Sequence, residues 1–140
     1  MNNDWLELEG KTVIVTGAAS GIGKAVAQEF LNIGANVVIS DMAENAPEMD
    51  AKEGQLLYVR TDVTKVSDVE AMVAKTIETF GTIDVLVNNA GITKDMLLMR
   101  MSEEQFDSVI QTNLKGTFNM IRHVSSVMLK QRSGAIINMS

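Results

Sequence analysis

The chain has 140 residues, of which 46% are hydrophobic and 21% charged, so it has the size and composition of one domain with an apolar core. The formal net charge is −6 and the acidic residues are scattered, which excludes the basic face of a nucleic-acid-binding protein. With no cysteine and a single histidine, the sequence excludes disulfides, thiolate nucleophiles and a multi-histidine metal site, and no metal is expected.

Five short apolar runs predict β-strands: Thr12–Val15, Asn36–Ser40, Leu56–Val59, Ile83–Val87 and Ala135–Met139. The runs are nearly continuous rather than alternating, which is typical of parallel strands covered by helices on both faces. Helical patterns separate the strands, so residues 1–140 predict one Rossmann-type, doubly wound α/β domain. Right-handed crossovers give the strand order 3-2-1-4-5, and the sheet is expected to be truncated after the fifth strand.

Three helical patterns lie between these strands. In the first, the spaced residues are Ile22, Ala25, Val26, Glu29 and Phe30, with Gly34 as the predicted stop. The second begins with a predicted capping box at Ser67–Glu70, and its apolar face is Val69, Met72, Val73, Ile77 and Phe80.

The third helical pattern begins at a second capping box, formed by Ser102 and Gln105. Its apolar residues are Phe106, Ile110, Leu114, Phe118 and Ile121. This helix is apolar on more than one side, so it fits an oligomer interface as well as a core. We therefore expect a homo-oligomer.

A glycine-rich loop, Thr16–Gly23, joins the first strand to the first helix. Glycines let the backbone turn tightly and approach a pyrophosphate, and a helix N-terminus offers N–H groups and a positive dipole end to phosphates. The predicted cofactor-binding residues of this loop are Gly17, Ala19, Ser20, Gly21, Ile22 and Gly23. The spacing is Gly-x-x-x-Gly-x-Gly rather than the common Gly-x-Gly-x-x-Gly, and a strand–helix turn without a ligand is the alternative.

Asp41 follows the second strand, 18 residues after Gly23. In dinucleotide-binding folds, an acid about 20 residues past the glycine loop accepts hydrogen bonds from the adenosine ribose. A carboxylate there would repel a 2′-phosphate, and Ser20 is neutral where a basic residue could hold one. The sequence therefore predicts NAD in preference to NADP. The alternative is a solvated acid in a turn.

Asn88–Gly91 ends the fourth strand, on the side of the sheet where open α/β folds bind ligands. Asparagine and glycine also favour a plain turn, which is the alternative. Asn113 lies within an apolar helical pattern, where a buried amide would need hydrogen-bond partners. From the residues alone, a structural role and a functional role both remain open for Asn113.

The ordered motifs Thr16–Gly23, Asp62-Val63, Asn88–Gly91 and Asn113 together resemble the short-chain dehydrogenase/reductase family over essentially the whole chain. The resemblance implies an oxidoreductase in which Asp62 and Val63 border the adenine. It also implies that Asn89, Ala90 and Gly91 pass the ribose and nicotinamide. Asn113 would be the catalytic asparagine, whose helix backbone holds a water in a proton relay.

Within the family, Gly91–Met101 and Asn113–Phe118 are similar to the 3-oxoacyl-acyl-carrier-protein reductases of fatty-acid synthesis. This implies a small-molecule or acyl-carrier-bound carbonyl substrate. Many such reductases carry a basic residue at the position of Ser20 and prefer NADPH. The opening Trp5–Lys11 looks more like sugar-alcohol or ketone dehydrogenases, which remain an alternative. We interpret the clustered Met96, Met99 and Met101 as packing residues, with an acyl-chain wall as the alternative.

The resemblance also implies that the family's catalytic serine would follow Ser140, with its Tyr-x-x-x-Lys pair later still. Tyr58 is followed four residues on by Asp62 rather than lysine and cannot substitute. The 140 residues alone are therefore expected to be inactive, and a non-catalytic nucleotide-binding fragment is the third possibility.

The start of the chain carries Asp4, Glu7 and Glu9 and has no apolar run after a basic start, so it does not resemble a signal peptide. No stretch reaches the length of a membrane span. A cytoplasmic protein without a membrane partner is expected.

Overall fold

The computed structural model describes residues 4–91 and 98–139. In this part of the chain the strands are β1 (Thr12–Thr16), β2 (Asn36–Asp41), β3 (Leu56–Arg60), β4 (Val85–Asn88) and β5 (Ala135–Asn138). The helices are α1 (Gly21–Asn32), α2 (Val66–Phe80), α3 (Glu103–Ile110) and α4 (Gly116–Gln131). A π-helical turn, Gln111–Lys115, joins α3 to α4.

The five strands form one parallel sheet in the order β3-β2-β1-β4-β5. This confirms the predicted fold class and strand order. β1 lies at the centre, where Val13 pairs with Val37 of β2 on one side and with Val85 of β4 on the other. The strand order reverses between β1 and β4, so this is where a ligand crevice is expected.

Alternate strand residues point to opposite faces of the sheet and form two separate cores. On one face, Val15 and Ile39 pack in a cluster with Ala27 and Leu31 of α1. On the other face, Ile14, Val38 and Leu86 pack in a cluster with residues of α2 and α4. Because both faces are covered, the strands read as continuous apolar runs in the sequence.

The predicted helix faces were right for α2 and wrong in part elsewhere. In α1 the fully buried residues are Gly23, Ala27 and Leu31, whereas Ile22 is 68% exposed. In α4 the sheet-facing residues include Met120 and Val124. Across α3, the π turn and α4, four of the five predicted apolar residues are exposed: Phe106, Ile110, Leu114 and Phe118. The small residues of α1 let the helix lie close to the sheet. Apolar periodicity in the sequence does not reveal this need for small residues, because it comes from the tertiary packing.

The two predicted capping boxes had different outcomes. Ser102 accepts the N–H of Gln105 while the Gln105 side chain accepts the N–H of Ser102, so this box is confirmed. The box at Ser67 is wrong, because α2 begins one residue earlier, at Val66, with Lys65 in the N-cap position. The Asp68 carboxylate instead accepts the N–H of Asp62, which ties α2 to the loop after β3.

We predict that Ser102→Ala lowers the free energy of unfolding by about 1 kcal/mol, because it removes a reciprocal cap at the start of α3. Ser67→Ala is the matched control, since the same change inside α2 removes no cap and should cost a few tenths of a kcal/mol at most. Urea unfolding followed by circular dichroism measures both. Equal losses in the two variants would contradict the assignment of the caps.

Candidate functional site

The loops that follow β1 to β4 enclose a cleft of about 360 Å³ at the carboxyl edge of the sheet. This volume is in the range of small-molecule and cofactor sites. Its lining residues are Gly17, Ser20, Ser40, Asp41, Met42, Thr61, Asp62, Val63, Asn89, Ala90, Gly91 and Thr112. The cleft therefore lies at the point where the strand order reverses, as the fold leads one to expect.

Eight of the predicted cofactor-binding residues line this cleft: Gly17, Ser20, Asp41, Asp62, Val63, Asn89, Ala90 and Gly91. The other predicted residues, Ala19, Gly21, Ile22 and Gly23, belong to the turn and first residues of α1 behind the lining. The Ile22 side chain is 68% exposed and does not line the cleft.

The wall between β1 and β4 is built by a close approach of two backbones. The Thr16 hydroxyl accepts the N–H groups of Asn89 and Ala90 at 3.0 and 2.9 Å. Gly17 has φ +64°, and a Cβ on it would lie 2.8 Å from the Cα of Ala90. Only glycine fits this position without displacing the segment after β4.

The first turn of α1 packs against the same segment. A Cβ on Gly23 would collide with the Asn89 side chain and lie 2.5 Å from the Gly17 carbonyl oxygen. The Asn89 amide donates to that carbonyl at 3.2 Å. Ser20 takes the N-cap position with an extended backbone, so the start of α1 opens towards the cleft that Ser20 lines. This is the arrangement in which helix N-termini hold phosphate groups.

Asp41 ties the end of β2 to the glycine loop. One carboxylate oxygen accepts the N–H of Ala19 at 2.9 Å, and the other accepts the N–H of Ala43 at 3.1 Å. The Ser40 carbonyl accepts the N–H of Gly17 at 2.7 Å, which adds a second link. Each carboxylate oxygen keeps a lone pair for a further donor.

Asp62 and Val63 form the opposite wall. The Asp62 carboxylate accepts the hydroxyl of Thr64 at 2.6 Å and its N–H at 3.0 Å. The hydroxyl contact is the largest cause holding the pKa of Asp62 below its usual value. Val63 is buried against Gly116 of α4, and its carbonyl accepts the buried Asn119 amide at 2.9 Å. Asp62 is thus held as an anion on a fixed loop.

Asn113 lies in the π turn rather than inside a regular helix, which is a correction to the sequence-based expectation. The residue is exposed, not buried as predicted, and a Cβ on Gly91 would lie 2.8 Å from its amide oxygen. Its neighbour Thr112 lines the cleft. π turns inside α-helices recur at functional sites. The helix irregularity and the family motif therefore both indicate a functional role near Asn113.

Sequence reasoning missed four lining residues: Ser40, Met42, Thr61 and Thr112. Each is the chain neighbour of a residue that was predicted, so adjacency to Asp41, Asp62 and Asn113 was the available signal. Residues 92–97 lie outside the described residues, so the expectations for Met96 and for most of Gly91–Met101 lie there too. Met99 is 88% exposed, which contradicts the packing role proposed for that residue.

A membrane-spanning helix and a metal-binding cluster are both absent from residues 4–91 and 98–139. There, no helix is long and apolar enough to cross a membrane. Nor do three or more histidine, aspartate or glutamate side chains come together there in a group that could hold a metal ion.

The parallel sheet, the glycine turn and the cleft at its reversal point define a Rossmann-type α/β protein. The chain belongs to the short-chain dehydrogenase family, whose sequence model matches residues 11–140. This membership confirms the family resemblance of the sequence motifs.

The curated relatives include enzymes that act on acyl chains. A 3-oxoacyl-acyl-carrier-protein reductase of Staphylococcus epidermidis is 47% identical over 136 residues, covering 93% of this chain and 56% of the relative. The protein of the same name from Thermotoga maritima is 46% identical over 140 residues, covering 96% and 57%. An uncharacterized oxidoreductase of Mycobacterium bovis is 44% identical over 137 residues, covering 95% and 56%. The chain thus spans little more than half the length of these relatives.

The only tyrosine in the sequence gives a direct probe of the Asp41 turn. Burial, and then the charge of Asp41, raise the pKa of Tyr58 above its usual value, and Arg60 opposes them. The phenol is thus more easily deprotonated in the unfolded chain, so stability falls as the pH rises through the unfolded pKa of about 10.

We predict that Asp41→Asn lowers the pKa of Tyr58, because it removes the neighbouring negative charge and keeps the shape of the side chain. Titration of tyrosinate absorbance measures this without interference from a second tyrosine. Asp62→Asn is the control and should leave the pKa of Tyr58 where it is in the parent protein. If the pKa of Tyr58 is unchanged in both variants, the Asp41 carboxylate does not lie close to the phenol.

Proposed function

We propose that this protein is the dinucleotide-binding part of a reductase that acts on 3-oxoacyl thioesters presented by an acyl carrier, in fatty-acid synthesis. The observation that supports this most is the cleft at the reversal point of the sheet, built from a glycine turn and the acid at the end of β2. It occurs in a chain 46–47% identical to two reductases whose names state that substrate.

The residues of the cleft divide naturally along an extended dinucleotide. Asp41 would accept hydrogen bonds from the adenosine ribose, and Asp62 and Val63 would border the adenine. The glycine turn with Ser20 would hold the pyrophosphate through backbone N–H groups. Ala90 and Gly91 lack bulky side chains and would leave room for the nicotinamide ring. When bound, the cofactor supplies the hydride for carbonyl reduction.

Asn113 is the one proposed catalytic residue among the described residues. Its amide lies beside Gly91, next to the proposed nicotinamide end of the cleft. The π turn also alters the backbone pairing around it, because one turn closes over five residues instead of four. We propose that carbonyl groups of this turn hold the water of the family's proton relay.

NAD is the proposed cofactor, with NADP as the alternative. The Asp41 carboxylate lines the cleft and would lie against a 2′-phosphate, so two anions would meet in a partly desolvated place. Ser20 adds no positive charge there. Arg60 and Lys65 line an adjoining cleft together with Asp62 and Asp68. Those two acids offset the charge of the two cations.

The protein should bind NADH more tightly than NADPH, and Asp41→Asn should weaken NADH binding about tenfold or more, because a charge-assisted hydrogen bond is lost. NADPH binding should stay the same or tighten. Fluorescence titration with each cofactor measures the four dissociation constants. Glu48→Gln, an exposed acid away from the cleft, is the control. Tighter binding of NADPH by the parent protein would contradict the assignment and favour Arg60 and Lys65 as phosphate ligands.

The substrate is tested on the full-length product of the gene that contains these residues. With NADH and NADPH present in turn, 3-oxoacyl thioesters should be reduced and cyclic ketones or oxidised sugar alcohols should not. Turnover of polyols alone would favour the sugar-alcohol dehydrogenase. Cofactor binding without turnover of either class of substrate would favour a non-catalytic nucleotide-binding protein.

We also propose that the protein is a cytoplasmic homo-oligomer, formed as one domain over residues 1–140 and associating through α3, the π turn and α4. Four exposed apolar side chains follow one another at four-residue intervals on this segment: Phe106, Ile110, Leu114 and Phe118. Its first half carries the exposed acids Glu103, Glu104 and Asp107, and its second half the exposed bases Lys115, Arg122 and Lys130. A second copy in antiparallel orientation would therefore place acids opposite bases.

Sedimentation velocity should give a mass above the 15.2 kDa of one chain. Phe118→Glu should return the protein to one chain per particle, because it places a charge within the apolar stripe. Leu129→Glu, an exposed apolar position outside the four-residue series, is the control. A parent protein that sediments as a single chain would remove the proposed interface.

A further inference from the structure

The turn that carries Asp41 is held from the neighbouring strand. Tyr58 lies on β3, and its hydroxyl donates to the carbonyl oxygen of Ala43. A weaker contact joins the same hydroxyl to the carbonyl oxygen of Asp41 at 3.5 Å. Two residues further along β3, the Arg60 Nε donates to the carbonyl oxygen of Met42 at 3.1 Å. Two side chains of β3 thus hold three successive carbonyl groups, beginning with the last residue of β2.

These bonds continue into the proposed cofactor site. Ala43 receives the Tyr58 hydroxyl at its carbonyl and donates its own N–H to one oxygen of Asp41 at 3.1 Å. The other oxygen of Asp41 accepts the N–H of Ala19, in the glycine turn, at 2.9 Å. The series Tyr58–Ala43–Asp41–Ala19 therefore joins β3 to the glycine turn across β2. Each member fixes the orientation of the next.

The surroundings of Tyr58 restrict the side chain that donates the hydrogen bond to Ala43. The ring is half-buried and packs against the α1-side core, so it has little freedom to move. Register pairs Tyr58 with Ile39 and Arg60 with Asp41, which places Tyr58 two pairs before the acid along the same sheet. Hydrogen bonds in series within such a partly desolvated place polarise one another.

We propose that Tyr58 is a positioning residue for cofactor selection: through Ala43 it orients the Asp41 carboxylate towards the ribose of the dinucleotide. Tyr58 does not line the cleft, so it would act only through Asp41. The proposal rests on the proposed function in assigning the ribose to Asp41. The link from Tyr58 to Ala19 is independent of that assignment and can be tested without cofactor.

The first measurement uses the ligand-free protein. Tyr58→Phe removes only the hydroxyl, and Asp41→Asn removes the charge that Ala19 faces. Both should shift the amide resonance of Ala19 in a proton–nitrogen correlation spectrum, although Tyr58 is 39 positions away in the chain. Thr76→Val is the control: it deletes a hydroxyl that donates to a carbonyl in α2, far from the turn, and should leave Ala19 unchanged.

The second measurement is the ratio of the NADPH and NADH dissociation constants. Tyr58→Phe should weaken NADH binding about three- to tenfold, the effect of one hydrogen bond, and leave NADPH binding unchanged. In the Asp41→Asn background, Tyr58→Phe should add nothing, because its route to the ribose is already lost. Thr76→Val should not change the ratio, even where it lowers the melting temperature.

An unmoved Ala19 resonance in Tyr58→Phe overturns the link, whatever the protein binds. Equal losses for both cofactors would also overturn the proposal, because they would mean a general loss of structure. Additive effects with Asp41→Asn would overturn it as well, because they would mean that Tyr58 does not act through Asp41. A parent protein that binds neither cofactor overturns the proposed function, and the role in cofactor selection falls with it. A shifted Ala19 together with an altered cofactor ratio supports both.

Discussion

At Gly17 the backbone after β1 comes so close to the segment after β4 that no side chain fits between them, and the shape of the cleft depends on this contact. The Thr16 hydroxyl holds two N–H groups of that segment, and the Asn89 amide returns a bond to the Gly17 carbonyl. Because β1 is the central strand, fixing this contact fixes the loops on both sides of it. The shape of the site therefore depends on the middle of the sheet.

Carboxylates then link the remaining loops. Asp41 connects the end of β2 to the glycine turn, and Asp68 connects α2 to the loop after β3. In both cases a charged acceptor satisfies a backbone N–H that has no strand partner, a strong type of hydrogen bond. The acid proposed to read the ribose is therefore also a structural member. Its charge would matter to the proposed cofactor selection, and its geometry to the loop that is proposed to hold the pyrophosphate.

The segment from α3 to α4 has one face that packs against the sheet and another that is exposed. Met120 and Val124 are buried against the sheet, while Phe106, Leu114 and Phe118 are exposed. The π turn lies between the two helices and changes the angular relation of residues before and after it. It places Asn113 beside Gly91 and Thr112 in the cleft. One irregular turn therefore sets both the edge of the site and the direction of the apolar stripe.

The sequence by itself determined the five strands, their order and the glycine turn, because apolar runs, chain chirality and glycine spacing are local properties. It also located Asp41 and residues 89–91, since the ends of parallel strands meet at one edge, and the family resemblance of its motifs located Asp62. Only the tertiary structure decided which face of α1 is buried, that Ser67 lies inside α2, and that Asn113 is exposed in a π turn. It alone revealed the link from Tyr58 to Ala19. Such features depend on contacts between residues far apart in the chain, and no local pattern encodes the distance between them.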